Sequence, residues 1–194
     1  MAATADWPVD LRGITETIVT TRGPRDRWNV AALGVHAPPS ADESATARTW
    51  GETRTRRNFD RRGGGYVQFS TDPVDFATAA LTVDERDEPV LDSAAAWARA
   101  EVTPVDRGTD EGTAWVEWEL EPVETAVEGR VVPTTNRGYA AVVEATVAAS
   151  RLDVPAYDRA ELTARLSHLE DVVDTCGSPT EQRAFDVVRN AVDW

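Results

Sequence analysis

The sequence predicts a mainly β, α+β protein, with a β-rich body over residues 1–135 and a helical subdomain over residues 136–194. Three observations carry this. Short alternating runs bounded by Gly and Pro fill the first part, as in strands with one wet face. Breakers become scarce from Asn136 onward, and Leu162, Leu166, Leu169, Val173 and Cys176 recur at spacings of four and three, the stripe of an amphipathic helix. Finally, Ser178-Pro179-Thr180-Glu181 has the form of a capping box with proline at the first helical position, which opens one more helix.

Taken in order, Ile14–Thr21 reads as a strand and Trp28–His36 as its partner, with Arg22–Arg27 as the turn. Ser44–Trp50, after the loop at Pro38-Pro39, reads as a third strand. The arginine-rich run Thr53–Arg62 stops at the breaker Gly63–Gly65, and Tyr66–Ser70 is a short strand. Asp72 is a fitting N-cap and Pro73 a fitting first residue for a helix running through Phe76 to Leu81. Trp97–Val105 and Thr113–Ala126 read as further strands, the latter alternating over Trp115-Val116-Glu117-Trp118-Glu119-Leu120. Gly138–Leu152 is rich in Ala and Val and too long for an ordinary strand, so it reads as a helix. Tyr157–Thr175 carries the leucine stripe, with Gly177 as the expected C-cap. The last helix is expected to bury Phe185, Val188 and Val192.

Composition bounds the function. The 194 residues are 41% hydrophobic, enough for one good core, and the mean hydropathy of −0.40 is that of a globular chain. No stretch approaches the roughly 18 apolar residues of a membrane helix. The start, MAATADWPVDLRG, lacks the basic and apolar regions of a secretory signal, so the cytoplasm is the expected location. All 20 basic residues are arginine, against 34 acidic ones, for a net charge of −14. An acidic, lysine-free globular chain fits a high-salt cytoplasm, where dense carboxylates stay hydrated and their repulsion is screened. The same acidity argues against nucleic acid as a partner, because phosphate backbones need a basic face. One cysteine, Cys176, and two histidines, His36 and His168, leave no disulfide and no conventional zinc centre.

Within this acidic chain the run TWGETRTRRNFDRRGGG, residues 49–65, gathers Arg54, Arg56, Arg57, Arg61 and Arg62. Guanidinium groups match phosphate oxygens in pairs, and Thr53, Thr55 and Asn58 add hydroxyl and amide partners. The run therefore reads either as a phosphate site or as a solvated helix face paired with surface carboxylates. Thr20-Thr21-Arg22 closes the first strand, and Thr134-Thr135-Asn136-Arg137-Gly138 precedes a helix whose free N–H groups suit an anion. Capping alone accounts equally for Asn136. His36 reads as a strand-end histidine, His168 as exposed and Cys176 as a small hydrophobe.

Four blocks in order resemble the archaeal family known as domain of unknown function 447. They are GITETIVTTRG with WNVAALGV, the run Thr53–Asn58, STDPVDFATAAL, and TNRGYAAVVEATVAASRL. That family is similar to the FMN-binding split β-barrels, which include flavin reductases and pyridoxamine-phosphate oxidases. The resemblance implies a six-stranded split barrel over residues 1–135, a helical tail over 136–194, a homodimer and bound FMN. It implies that Asn29, Val30, Ala31, Ala32 and Gly34 lie against the flavin ring, their small side chains admitting it and their main-chain N–H groups bonding it. Arg54, Thr55, Arg57 and Asn58 are then expected at the phosphate, with Thr20, Thr21, Asn136 and Arg137 as further contacts. The function implied is an FMN-dependent oxidoreductase of a halophilic archaeon, in which the cofactor carries the redox step. The alternative is a split-barrel binding or assembly protein without flavin.

Overall fold

A computed structural model describes residues 5–40, 42–110, 112–132 and 134–194. The hairpin read from the first alternating runs forms as expected. β1 (Ile14–Arg22) and β2 (Trp28–His36) pair antiparallel from Ile14↔His36 to Arg22↔Trp28. Its turn is closed by the Gly23 N–H donating to the Arg27 carbonyl at 2.7 Å, with Asp26 at a φ of 61°, a left-handed conformation that Asp tolerates. There follow β3 (Ala45–Trp50), α1 (Arg54–Arg62), β4 (Gly64–Ser70), α2 (Pro73–Leu81), β5 (Asp84–Arg86), β6 (Ala94–Asp110) and β7 (Thr113–Val127).

Around the sheet the order is β1-β4-β6-β7-β3-β2, and β2 returns to β1, so six antiparallel strands close into a barrel. Closure removes the exposed edges that an open sheet would present. One seam is incomplete. β3 holds β7 over six residue pairs but β2 over only two, Val35↔Ala47 and His36↔Thr46. The three-residue β5 covers Trp28, Asn29 and Val30 on that same side of β2. Among the described residues no strand covers Ala31–Gly34 there, so every second residue of that run turns its N–H and C=O away from β1 without a ladder partner.

Inward-facing positions alternate small with large. Ala45, Ala47 and Ala100 leave room for Trp118 and for Phe59 of α1, whose rings meet edge to face at 5.3 Å. The buried Trp118 indole N–H donates to Thr49 Oγ1 at 2.9 Å, which satisfies its one polar group. β7 has the expected extent, but β6 runs longer than the alternation predicts, because it continues beside β7 as a two-stranded ribbon to Asp110 and Thr113. β5 has no sequence signal. Three half-buried charged residues, Asp-Glu-Arg, become a strand only because the β2 edge is there to pair with.

The chain divides into two units, the barrel over residues up to Ser70 and Asp84–Arg130, and a helical unit over Thr71–Val83 and Val131–Trp194. The expected boundary at residue 135 therefore needs one correction, since α2 belongs with the C-terminal helices. The reason is its apolar face, where Ala77, with Val74 and Leu81, packs into the same cluster as Ala141, Ala145, Phe185 and Val188. The remaining helices are α3 (Arg137–Ala149), α4 (Arg159–Cys176) and α5 (Pro179–Ala191). Gly177 is the C-cap of α4 as expected, its N–H donating to the Val173 carbonyl at 2.8 Å. Its φ is −81°, and a Cβ on Gly138 would lie 2.6 Å from its Cα, so these glycines serve a close approach between the start of α3 and the end of α4. The capping box at Ser178 forms, and its Glu181 also accepts from Asn136 Nδ2 at 3.3 Å, tying two helix starts together.

Candidate functional site

The nine-residue α1 has two faces. Thr53 caps it, accepting from the Arg56 N–H at 3.1 Å, and Gly63 ends it at a φ of 66° with its N–H on the Phe59 carbonyl. Thr55, Asn58 and Phe59 form the buried face, at the spacing that helical geometry requires. Phe59 enters the barrel core, and Asn58 Nδ2 donates to Thr21 Oγ1 at 3.0 Å, which fixes the helix to β1. Arg54, Arg57 and Arg61 follow at i, i+3 and i+7 and so share the opposite stripe.

That stripe faces the β1–β2 turn. Gly23, Pro24, Arg25, Asn29, Arg54, Arg57, Asn58, Arg61 and Glu85 enclose a cavity of about 230 Å³. Four guanidiniums and one carboxylate give its wall a formal charge of +3, in a chain whose net charge is −14. Arg57 Nη1 donates to the Glu52 carbonyl at 2.8 Å, leaving its other donors free. Arg61 makes no hydrogen bond or ion pair among the described residues. Arg54 Nη1 bonds Glu85 Oε1 at 2.6 Å, and Arg25 Nη2 lies 3.5 Å from Glu85 Oε2.

Asn29 is the exception on this wall. It is only 6% exposed, and its side-chain amide, which has no hydrogen-bond partner among the described residues, opens onto the cavity. Among the described residues the one fully buried side-chain atom without a partner is Arg48 Nε, so the Asn29 amide stays within reach of water, and its donor and acceptor are available to whatever occupies the cavity. The wall holds no His, Cys, Ser or Thr, and no cluster of metal-ligating side chains occurs among the described residues. The arrangement is built to hold an anion with several acceptor oxygens rather than to move protons.

Of the residues singled out from sequence, the structure brings Asn29, Arg54, Arg57 and Asn58 together on this wall. The others lie elsewhere. Thr20 is fully buried, donating to the Pro89 carbonyl at 2.6 Å and accepting from Gln68 Nε2 at 3.1 Å, so its hydroxyl is committed internally. Thr21 supports Asn58, and Thr55 turns to the buried face of α1. Val30 is buried beneath the pairing with β5, and Ala31 packs on the barrel core. Ala32 and Gly34 are part-exposed, and a Cβ on Gly34 would come within 3.0 Å of Ile14 Cγ2, so this glycine has a packing role. Asn136 caps α3 through the Gly138 N–H at 2.7 Å, and neither it nor Arg137 lines the cavity. Arg61, part of the arginine cluster read as a candidate phosphate site, does line it, one helical turn from Arg57. Arg25 and Glu85 carry no such signal in the sequence and reach the wall only through the β1–β2 turn and β5.

The fold and this cavity define a class: a closed six-stranded antiparallel barrel with an incomplete seam and an arginine-walled cavity. The chain belongs to the DUF447 family, described as proteins of unknown function; the N-terminal domain of that family matches residues 15–129 and the C-terminal part residues 136–190. An FMN-bound DUF447 protein from Methanosarcina mazei has the same fold, at a TM-score of 0.78 and 22% identity over 94% of this chain and 96% of that one. The expected split barrel with a helical tail is thus the fold observed. Component B of nitrilotriacetate monooxygenase from Bacillus cereus is a more remote likeness, with a TM-score of 0.45 and 15% identity over 65% of this chain and 78% of that one. Flavoredoxin from Methanosarcina acetivorans is another, with a TM-score of 0.43 and 10% identity over 66% and 78%. No curated protein matches the sequence.

Proposed function

We propose that this chain is an FMN-binding flavoprotein. The observation that carries the reading is the arginine-lined cavity onto which the amide of Asn29 opens, close to Ala31–Gly34 of β2, whose side away from β1 has no ladder partner among the described residues. Residues Asn29 to Leu33 cover four steps of about 3.3 Å each, a span of the order of an extended ribityl phosphate. Arg57, Arg61 and Asn29 hold the phosphate, Asn58 fixes the helix that carries the two arginines, and main-chain groups of Ala31–Gly34 face the ring. The FMN-bound state of the family member from M. mazei supports FMN as the ligand.

Bound FMN supplies two-electron redox chemistry, and the reading extends to a flavin-dependent oxidoreductase. The protein's part is to bind and orient, which fits a wall of arginines and amides whose one carboxylate, Glu85, is paired with Arg54. A homodimer belongs to the reading through the family resemblance, and light scattering at the elution peak should return twice the mass of 21.2 kDa. The decisive experiment is titration of apo protein with FMN, followed by flavin fluorescence and the visible bands. Saturable binding is expected, with a loss of about tenfold or more in Arg57→Ala/Arg61→Ala, since a hydrogen bond to a charged group contributes roughly 1.5–3 kcal/mol. Absence of FMN binding by the folded protein overturns the proposal.

A further inference from the structure

We infer that Glu85 is a built-in counter-anion of the cavity, which competes with an incoming phosphate for Arg54 and thereby sets the affinity of the site; this rests on the phosphate reading above. Glu85 is the one acidic group lining the cavity among the described residues. Its Oε1 takes a donor of Arg54 at 2.6 Å and its Oε2 lies 3.5 Å from Arg25. Its position separates two roles. A carboxylate that merely orients an arginine sits behind it, away from the ligand. Glu85 lines the cavity itself, so it stands where an anion's oxygens would stand and meets the same guanidinium.

The main chain of Glu85 does a separate job. It pairs with Asn29 across the β2–β5 ladder, and its carbonyl accepts from Arg27 Nη2 at 2.6 Å. Those bonds hold β5 in place whatever the side chain carries. The charge of residue 85 is therefore free to tune binding without being needed for the fold. Glu85→Gln keeps the shape and the acceptor oxygen but takes the wall from +3 to +4. Arg54 then passes from a satisfied ion pair to a guanidinium open to the ligand.

The test uses the full chain and inorganic phosphate as the probe, measured by isothermal titration calorimetry at one fixed KCl concentration, with FMN titrated in parallel. Glu85→Gln should bind phosphate roughly tenfold more tightly than the unaltered protein, the scale expected when a like charge leaves a partly solvated site. Glu85→Asp, which keeps the charge, should show a smaller gain. Arg54→Ala should cost little in the unaltered protein and more in the Glu85→Gln background, because only there is Arg54 released to the ligand. Equal or weaker phosphate binding by a folded Glu85→Gln overturns the inference, and so does an equal cost of Arg54→Ala in both backgrounds. If the unaltered protein binds FMN while Glu85→Gln shows no gain, the inference falls alone. If neither form binds phosphate or FMN, the phosphate reading falls with it.

Discussion

Replacing Asn29 by leucine, close to it in shape, should leave the stability of the protein without ligand almost unchanged and weaken FMN binding. The first effect follows from the Asn29 amide, which has no protein partner among the described residues and opens onto a cavity that water can enter, so its removal breaks no bond within the protein and relieves no unsatisfied group. A change within about 0.5 kcal/mol shifts the melting temperature by no more than roughly 2 °C. The second effect is the loss of a hydrogen bond to an anion, about 1.5–3 kcal/mol, or roughly 10- to 150-fold in the FMN dissociation constant. Calorimetric melting of the apo protein and fluorescence titration with FMN measure the two. At saturating FMN the unaltered protein should be the more stable of the two, because it gains more from its ligand. An Asn29→Leu variant that melts well below the unaltered apo protein, or binds FMN equally well, would refute the argument that this amide serves a ligand rather than the fold.

Three further outcomes are expected. Glu181→Ala should cost about 2–4 kcal/mol in denaturant unfolding, since it removes the capping box and leaves Asn136 Nδ2 and the Ser178 N–H without their acceptor. Burial by itself raises the Glu181 pKa, but the bonds from the Ser178 side chain and backbone, with its own N–H, outweigh that and leave it below the ordinary carboxylate value. A lowered folded pKa stabilises above the unfolded pKa, so the stability difference between the unaltered protein and Glu181→Ala should shrink as the pH falls below about 4.5. Phe59→Ala should cost about 3–5 kcal/mol, because it empties the space against Trp118, and it should also weaken FMN binding by freeing α1. Melting temperature should rise between about 0.1 and 1 M KCl as the Debye length falls from about 10 to about 3 Å and the repulsion among 34 acidic residues is screened; a flat profile would remove the case for a high-salt habitat.

Some of this architecture was open to reading in the residues, and the rest shows what a local pattern lacks. The hairpin, α2 and the capping box at Ser178 were legible because each depends on neighbours in sequence: alternation, an Asp-Pro start, a Ser and a Glu three apart. The membership of α2 in the helical unit was not, because a short apolar helix carries no mark of which core will take it. β5 was invisible for the opposite reason, since Asp84-Glu85-Arg86 has no strand character and is a strand only through its partner. The arginine cluster lies between these cases. Its members were plain, but residues 49–65 read as one block hide the stripe Arg54–Arg57–Arg61, and Arg25 reaches the same wall only through the turn at Gly23–Arg27.

α1 joins the two problems the chain has to solve. An acidic protein repels anions from its surface as a whole, so a phosphate site requires that positive charge be concentrated and held in place locally. Arginines on an exposed, isolated nine-residue helix would not do this, because so short a helix is marginal in water. Here the helix is fixed by its other face, with Phe59 in the barrel core and Asn58 bonded to Thr21. The same burial of Phe59 in the barrel core thus fixes the orientation of the guanidinium stripe, and Glu85 lowers the charge of the wall by one. Weakening the Phe59 contact should therefore lower anion affinity even though Phe59 touches no ligand, and the loss should appear in FMN binding before the barrel itself unfolds.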